Sequence, residues 1–330
     1  MEQGKRVTDR LKIQSYCGET LRSDSNPPQA IIENFLWTED AAMLLGSEKA
    51  GKSINAQQMF VDIVCGNPYL GQFKVLKQGP VVYLQCEGKR DEFVARLNNM
   101  LITYDNFDDS KFLHIFKKYC PLNNQMFMEA IFQIIDTQVK VWGCNPVAIC
   151  IDSVYKAIDG DLNENRDIIG FTNSVDDLIS RYKCAVLLIH HESKEWHDEK
   201  HNTIDRGDKG TYGSVFLRAY VDHILYLKMK KDKTRTLSCD THRSGSINEG
   251  VLDLILIEPQ PLLFQIKGDY RASTEVILHQ LKLHGALTYA MMVANTGLAL
   301  ITIKQATSVL LKDRKISFTD SKEREFFVKS

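Results

Sequence analysis

The chain has 330 residues, 44% of them hydrophobic and 25% charged, with a formal net charge of −1. That balance argues against general disorder, and it suits one large domain with a small second one. No global basic field exists, so any nucleic-acid contact has to come from local patches or loops.

Residues 1–30 are polar, lack an apolar leader-like stretch and end in SDSNPPQ, which breaks helix and strand alike. They are expected to form an arm or linker. From Ile31 the texture is α/β. Short apolar runs at 41–46, 81–87, 112–116, 147–154 and 185–191 suit buried parallel strands. Between them, 52–64, 89–103, 123–142 and 165–182 place apolar residues at three- and four-residue spacing and predict helices. Strands alternating with helices imply crossover units, and hence a mostly parallel sheet covered on both faces. The runs 223–231, 234–242 and 261–267 are hairpin-like and are expected as antiparallel strands on the edge of that sheet.

Near residue 268 the pattern changes again. Segments 274–285, 287–297 and 300–316 predict three short helices, and 317–329 alternates like a two-stranded wing. This is the order of a winged helix-turn-helix, with 302–316 as the candidate recognition helix. The expected division is an arm at 1–30, a large α/β domain at 31–268 and a winged-helix domain at 269–330. The last of these holds nine basic against six acidic side chains, compatible with a phosphate-contacting face. The eight cysteines form no C-x-x-C pair and read as reduced, mostly buried thiols. No apolar run approaches membrane-spanning length, and a cytoplasmic protein is expected.

Chemistry concentrates in GSEKAGKS, Gly46, Ser47, Glu48, Lys49, Ala50, Gly51, Lys52 and Ser53. It fits the phosphate-loop pattern G-x-x-x-x-G-K-[ST] between a predicted strand and a predicted helix. The loop amides and the helix N-terminus would cradle phosphates, Lys52 would reach the β- and γ-phosphates, and Ser53 would ligate Mg2+. Asp152 follows directly on the apolar residues of VAICIDSV (147–154), where a carboxylate is costly unless it serves a cation or donor, and is the second candidate Mg2+ residue. Glu87, at the end of 81–87, is the candidate for orienting the attacking water. His190 and His191 end the strand at 185–191, where a polar group can touch the γ-phosphate. The stretch from His190 to His201 holds four histidines, but without zinc-enzyme spacing or cysteine support it does not read as a metal site. Residues 194–213 form a long charged loop that could change order with nucleotide state.

Taken together, these residues resemble the RepA-like hexameric replicative helicases, within the RecA/DnaB-like P-loop ATPases. The segments that carry the resemblance are CGNPYLGQF (65–73), LQCEGKRDEFVARL (84–97), CIDSVYKAIDGDLNENRD (150–167), LLIHHESK (187–194), TYGSVFLRAYVDHILYL (211–227) and THRSG (241–245). The resemblance implies an ATP- and Mg2+-dependent ATPase with Glu87 as catalytic carboxylate and His191, with His190 beside it, as γ-phosphate sensor. It makes Arg243 an arginine finger acting across a homo-oligomeric ring, which in that family is hexameric. The family usually has lysine two residues before this arginine, where Thr241 stands here. Single-stranded DNA would be the track of such a helicase or translocase, acting in replication of a mobile element, plasmid or phage. Duplex DNA could be held by the C-terminal domain. Two other readings share the same residues, a RecA-like repair or remodelling ATPase and an ATP-switched winged-helix DNA-binding regulator.

Overall fold

The computed structural model describes residues 28–162, 164–191, 196–197, 203–204, 215–239, 251–258, 260–267, 271–296, 298, 300–319 and 325–328. A short hairpin, β1 (Ala30–Ile32) and β2 (Leu36–Trp37), leads into β3 (Ala41–Gly46), and α1 (Lys52–Cys65) follows the phosphate loop. Then come β4 (Val81–Gln85), α2 (Arg90–Leu101), β5 (Phe112–Phe116), α3 (Gln125–Trp142), β6 (Ala148–Asp152), α4 (Asn165–Tyr182) and β7 (Ala185–His191). A two-residue ribbon, β8 (Trp196–His197) with β9 (Thr203–Ile204), precedes α5 (Val215–Tyr220). The chain continues through β10 (His223–Met229), β11 (Arg235–Cys239), β12 (Leu252–Ile257) and β13 (Leu263–Ile266).

One nine-stranded sheet organises these elements in the order β13-β12-β11-β10-β3-β7-β6-β4-β5. The strands from β10 to β5 pair in parallel, and β11, β12 and β13 extend the sheet antiparallel. The expectation of hairpin strands at the edge therefore needs one correction. Residues 223–229 run parallel to β3 and complete the parallel set, because α5 supplies the crossover that a parallel neighbour requires. Strand β12 carries no clean alternation and was not expected from the pattern. Strands β4 and β6 also stop earlier than the apolar runs suggest, at Gln85 and Asp152.

The period-two rule explains the core. Ala42, Leu44, Val81, Tyr83, Ala148, Cys150, Leu187 and Ile189 join one cluster with Met59, Phe60 and Ile63 of α1. Their strand neighbours, including Met43, Leu45, Val82, Ile149 and Leu188, join a second cluster with residues of α3 and α4. Both faces of β3, β4 and β6 are buried, which is why these strands read as unbroken apolar runs.

Beyond the sheet lie α6 (Arg271–His284), β14 (Leu287–Thr288), α7 (Tyr289–Thr296), α8 (Leu300–Lys312), β15 (Ile316–Phe318) and β16 (Glu325–Val328). The last strands form a small sheet in the order β14-β16-β15. The expected second helix begins two residues late because Leu287 and Thr288 pair with β16, and the third stops at Lys312 rather than at Ile316. The core of this unit also takes in Ile257 and Leu263 from the large sheet. No described helix is long and apolar enough to cross a membrane.

Candidate active site

The parallel strands present their C-terminal ends together. Gly46 pairs with His191, Asp152 with Ile189, and Gln85 with Asp152. By alternation Tyr83, Gln85, Cys150, Asp152, Ile189 and His191 all face the α1 side of the sheet. That places them beside the phosphate loop at the start of α1.

Two glycines make the loop possible. A Cβ on Gly46 would lie 2.2 Å from the Leu227 carbonyl oxygen of β10, so no other residue fits there. Gly51 has φ of 99°, in the left-handed region, and its α-carbon faces the Phe264 ring, which a Cβ would meet at 2.7 Å. Gly51 caps α1 without a side-chain hydrogen bond, and the first turn carries no acidic residue. The first amides of α1 are thus left for an anion, with no acidic side chain of the first turn competing.

Lys52 lies at the centre of the site. Its ammonium donates to the carbonyls of Gly46 and Ser47, each at 2.8 Å, and to His191 Nδ1 at 3.2 Å. An ammonium only donates, so Nδ1 accepts and the proton of neutral His191 sits on Nε2. That Nε2–H faces Glu87 Oε1 at 3.7 Å, while the Ser153 hydroxyl donates to Glu87 Oε2 at 2.6 Å. The His191 ring, the Ser153 hydroxyl and the Lys52 charge together hold the Glu87 carboxyl below the usual range, against its partial burial. Glu87 is therefore a carboxylate at neutral pH, able to accept a proton or align a water. Gln85 shapes the turn that carries it, donating to the Glu87 carbonyl at 2.7 Å.

Asp152 is almost fully buried, and burial pushes its carboxyl above the ordinary value despite hydrogen bonds from Tyr83 and Ser53. The Tyr83 hydroxyl donates to Asp152 Oδ2 at 2.8 Å. The Ser53 hydroxyl and the Asp152 carboxylate thus form an all-oxygen pair at the helix N-terminus. This donor set fits Mg2+, which keeps several waters and needs few protein ligands when substrate phosphates complete its shell. Bound there with the triphosphate, Mg2+ would neutralise phosphate charge. Among the described residues no group of three His, Cys, Asp or Glu forms a separate metal site.

Of the residues singled out in the sequence, Lys52, Ser53, Glu87, Asp152 and His191 meet here. His190 does not. It is buried on the opposite face, with the parity of Leu188 and the α3–α4 layer. Arg243 lies outside the described residues, as does most of the 194–213 loop. Sequence reading missed Ser153, which orients Glu87, and Tyr83, which anchors Asp152. Parity was the available signal for Tyr83, two residues from Gln85 and four from Glu87. Ser153 gave none.

A parallel sheet with a phosphate loop at the C-terminal edge of one strand, and a buried Asp and a polarised Glu on its neighbours, defines a P-loop ATPase of RecA-like fold. A family model described as an AAA domain matches residues 8–196, more than half the chain, and the chain belongs to that family. The match begins inside the stretch expected to be an arm. No curated protein matches the chain closely enough to count as a relative.

Proposed function

We propose that the chain is an ATP-hydrolysing DNA helicase or translocase that works as a ring, in the replication of a mobile element, plasmid or phage. The observation that carries the reading is the Lys52–His191–Glu87 chain. It links the residue that grips the terminal phosphate to the carboxylate that orients water, through strand β7, which precedes the charged stretch 194–213 expected as a loop. Loss of the γ-phosphate would be felt by His191 and passed to that loop. The association of this AAA-domain family with RepA- and DnaB-like helicases supports the same reading.

In this scheme Lys52 and the loop amides bind the triphosphate, and Glu87 takes the proton of the attacking water while Ser153 fixes its orientation. Arg243 of a neighbouring subunit stabilises the charge that develops on the γ-phosphate. The helix–strand–helix–helix–strand–strand order of residues 271–328 supports a winged-helix unit that holds duplex DNA. Single-stranded DNA would pass through the ring.

The test is hydrolysis and unwinding of a forked duplex by the full chain. We expect single-stranded DNA to stimulate ATP turnover and the duplex to separate only with hydrolysable nucleotide. Mixing Arg243→Ala with Lys52→Ala protein should restore part of the activity that each lacks alone. One kind of junction in the mixed ring then pairs an intact pocket with an intact finger. DNA-stimulated turnover without strand separation would instead favour a remodelling ATPase, and mixed rings without rescue would remove the trans-acting arginine.

A further inference from the structure

A cavity of about 230 Å³ lies between α1, the end of α2, strand β13 and α6, away from the nucleotide loop. Its polar wall is built on Asp62, which is 2% exposed in the last turn of α1. The Tyr104 hydroxyl donates to Asp62 Oδ1 at 2.8 Å, but Oδ2 has no hydrogen-bond partner among the described residues. Gln265, 3% exposed on β13, likewise leaves its Nε2 without one. Glu275, an exposed residue of α6, stands at the rim. Among the described residues lining the cavity, the charged ones are Asp62 and Glu275, and both are acids.

The rest of the lining is apolar. Pro68, Leu70, Leu263 and Phe264 supply it. A buried carboxylate oxygen without a donor is expensive unless it is protonated, hydrated or met by a cation. Burial does push the Asp62 carboxyl well above its ordinary value. The volume equals roughly eight waters at about 30 Å³ each, too large for one bare metal ion and enough for a short alkyl chain.

We infer that this cavity is a binding site for a small aliphatic ammonium ion, whose charged head pairs with Asp62 Oδ2 and whose carbon chain lies against Leu263 and Phe264. An alkylammonium offers N–H donors to Asp62 Oδ2 and methylene groups to the apolar wall, while Gln265 Nε2, itself a donor, is left to a water. Phe264 ties the site to the ATPase core, since its ring also faces Gly51 of the phosphate loop. The inference does not depend on what the ATPase drives.

The probe is 1,4-diaminobutane, titrated into the full chain by calorimetry and by thermal unfolding. Potassium chloride at matched ionic strength and 1,4-butanediol are the controls. We expect saturable one-site binding by the diamine and a rise in Tm of about 2–3 °C at ten times Kd, with neither control reproducing it. Asp62→Asn, which keeps the shape and removes the charge, should weaken binding at least tenfold, and Glu275→Gln should weaken it severalfold. Should Asp62→Asn fail to fold, the Glu275→Gln titration decides alone, since that side chain is exposed. The inference is overturned by no saturable binding, by an equal shift with the diol or with potassium, or by unchanged affinity in the variants that fold.

Discussion

The two halves of the large sheet are built from the same kind of strand and do different work. The parallel half, β10 to β5, is buried on both faces at its central strands β3, β7, β6 and β4 and brings Lys52, Glu87, Asp152 and His191 to one edge. The antiparallel half, β11 to β13, is only partly covered and contributes none of these groups. Yet it reaches the same helix. The Gln58 amide of α1 donates to the Phe264 carbonyl at 2.9 Å and accepts from the Phe264 N–H at 2.7 Å, as a neighbouring strand would. Strand β13 is the sheet edge, so Gln58 closes it. Chemistry thus depends on parallel strands ending together, whereas the antiparallel strands brace α1 from behind and seat the C-terminal unit on Ile257 and Leu263.

The largest effect should come from breaking the parallel half. Glu87→Gln preserves shape but removes the carboxylate, so kcat should fall by about 10²- to 10⁴-fold. ATP affinity should stay within about twofold, because Lys52 and the loop amides still bind the phosphates and the loss falls on the chemical step. Rapid-quench turnover with parallel nucleotide titration separates the two. Normal turnover in the variant would move the water-orienting role to another carboxylate and undo the comparison.

That half was also the legible one. The phosphate loop has fixed spacing, and strands buried on both faces give apolar runs that stand out, so Lys52, Ser53, Asp152 and Glu87 could be placed without a structure. Other features had no such marker. Gln58 and Asp62 look like ordinary polar residues on a helix, and only the strand lying against α1 makes them buried. Whether 223–229 runs parallel or antiparallel depends on α5, a helix of six residues too short to show a period. His190 and His191 are adjacent letters, and their separation into core and site needed the register of β7 against β3. Tyr83 reads as one more aromatic core residue until Asp152 is seen beneath its hydroxyl.

A smaller effect, on stability instead of rate, should come from the antiparallel half. Gln58→Ala leaves a buried N–H and a buried carbonyl of Phe264 without partners, at a cost of about 2–3 kcal/mol in total. Gln58→Glu keeps the acceptor for the N–H but cannot donate to the carbonyl while ionised, and its loss should be no smaller if the carboxylate meets the carbonyl oxygen. Chemical denaturation measures both. Turnover per folded molecule should remain close to wild type, since no catalytic group moves. A variant as stable as wild type but slow would mean that the brace acts on the phosphate loop directly.

The smallest effect tests the finest distinction, between Glu87 and the hydroxyl that holds it. The native Glu87 pKa is lowered, so the carboxylate persists below the ordinary carboxyl pKa, and activity should decline only as pH falls through that lowered value. Ser153→Ala removes a donor to the charged form. The Glu87 pKa must then rise, because the opposing effect of burial remains, and the acid limb of kcat should move to higher pH by less than about one unit. At pH 7 the carboxylate is ionised in both proteins, so any rate loss there reports misorientation and should be no more than about tenfold. Acid destabilisation could mimic the shift, and its source is identifiable. Burial lowers the His114 pKa from 6.5 to about 4, so the unfolded chain binds more protons between those values and stability drops as pH falls through that window. His114 touches Gln85 and Phe93 and no part of Ser153. Its contribution is therefore common to both proteins and cancels in their ratio. An acid limb that stays in place in folded Ser153→Ala would show that Glu87 is not the group whose ionisation governs turnover.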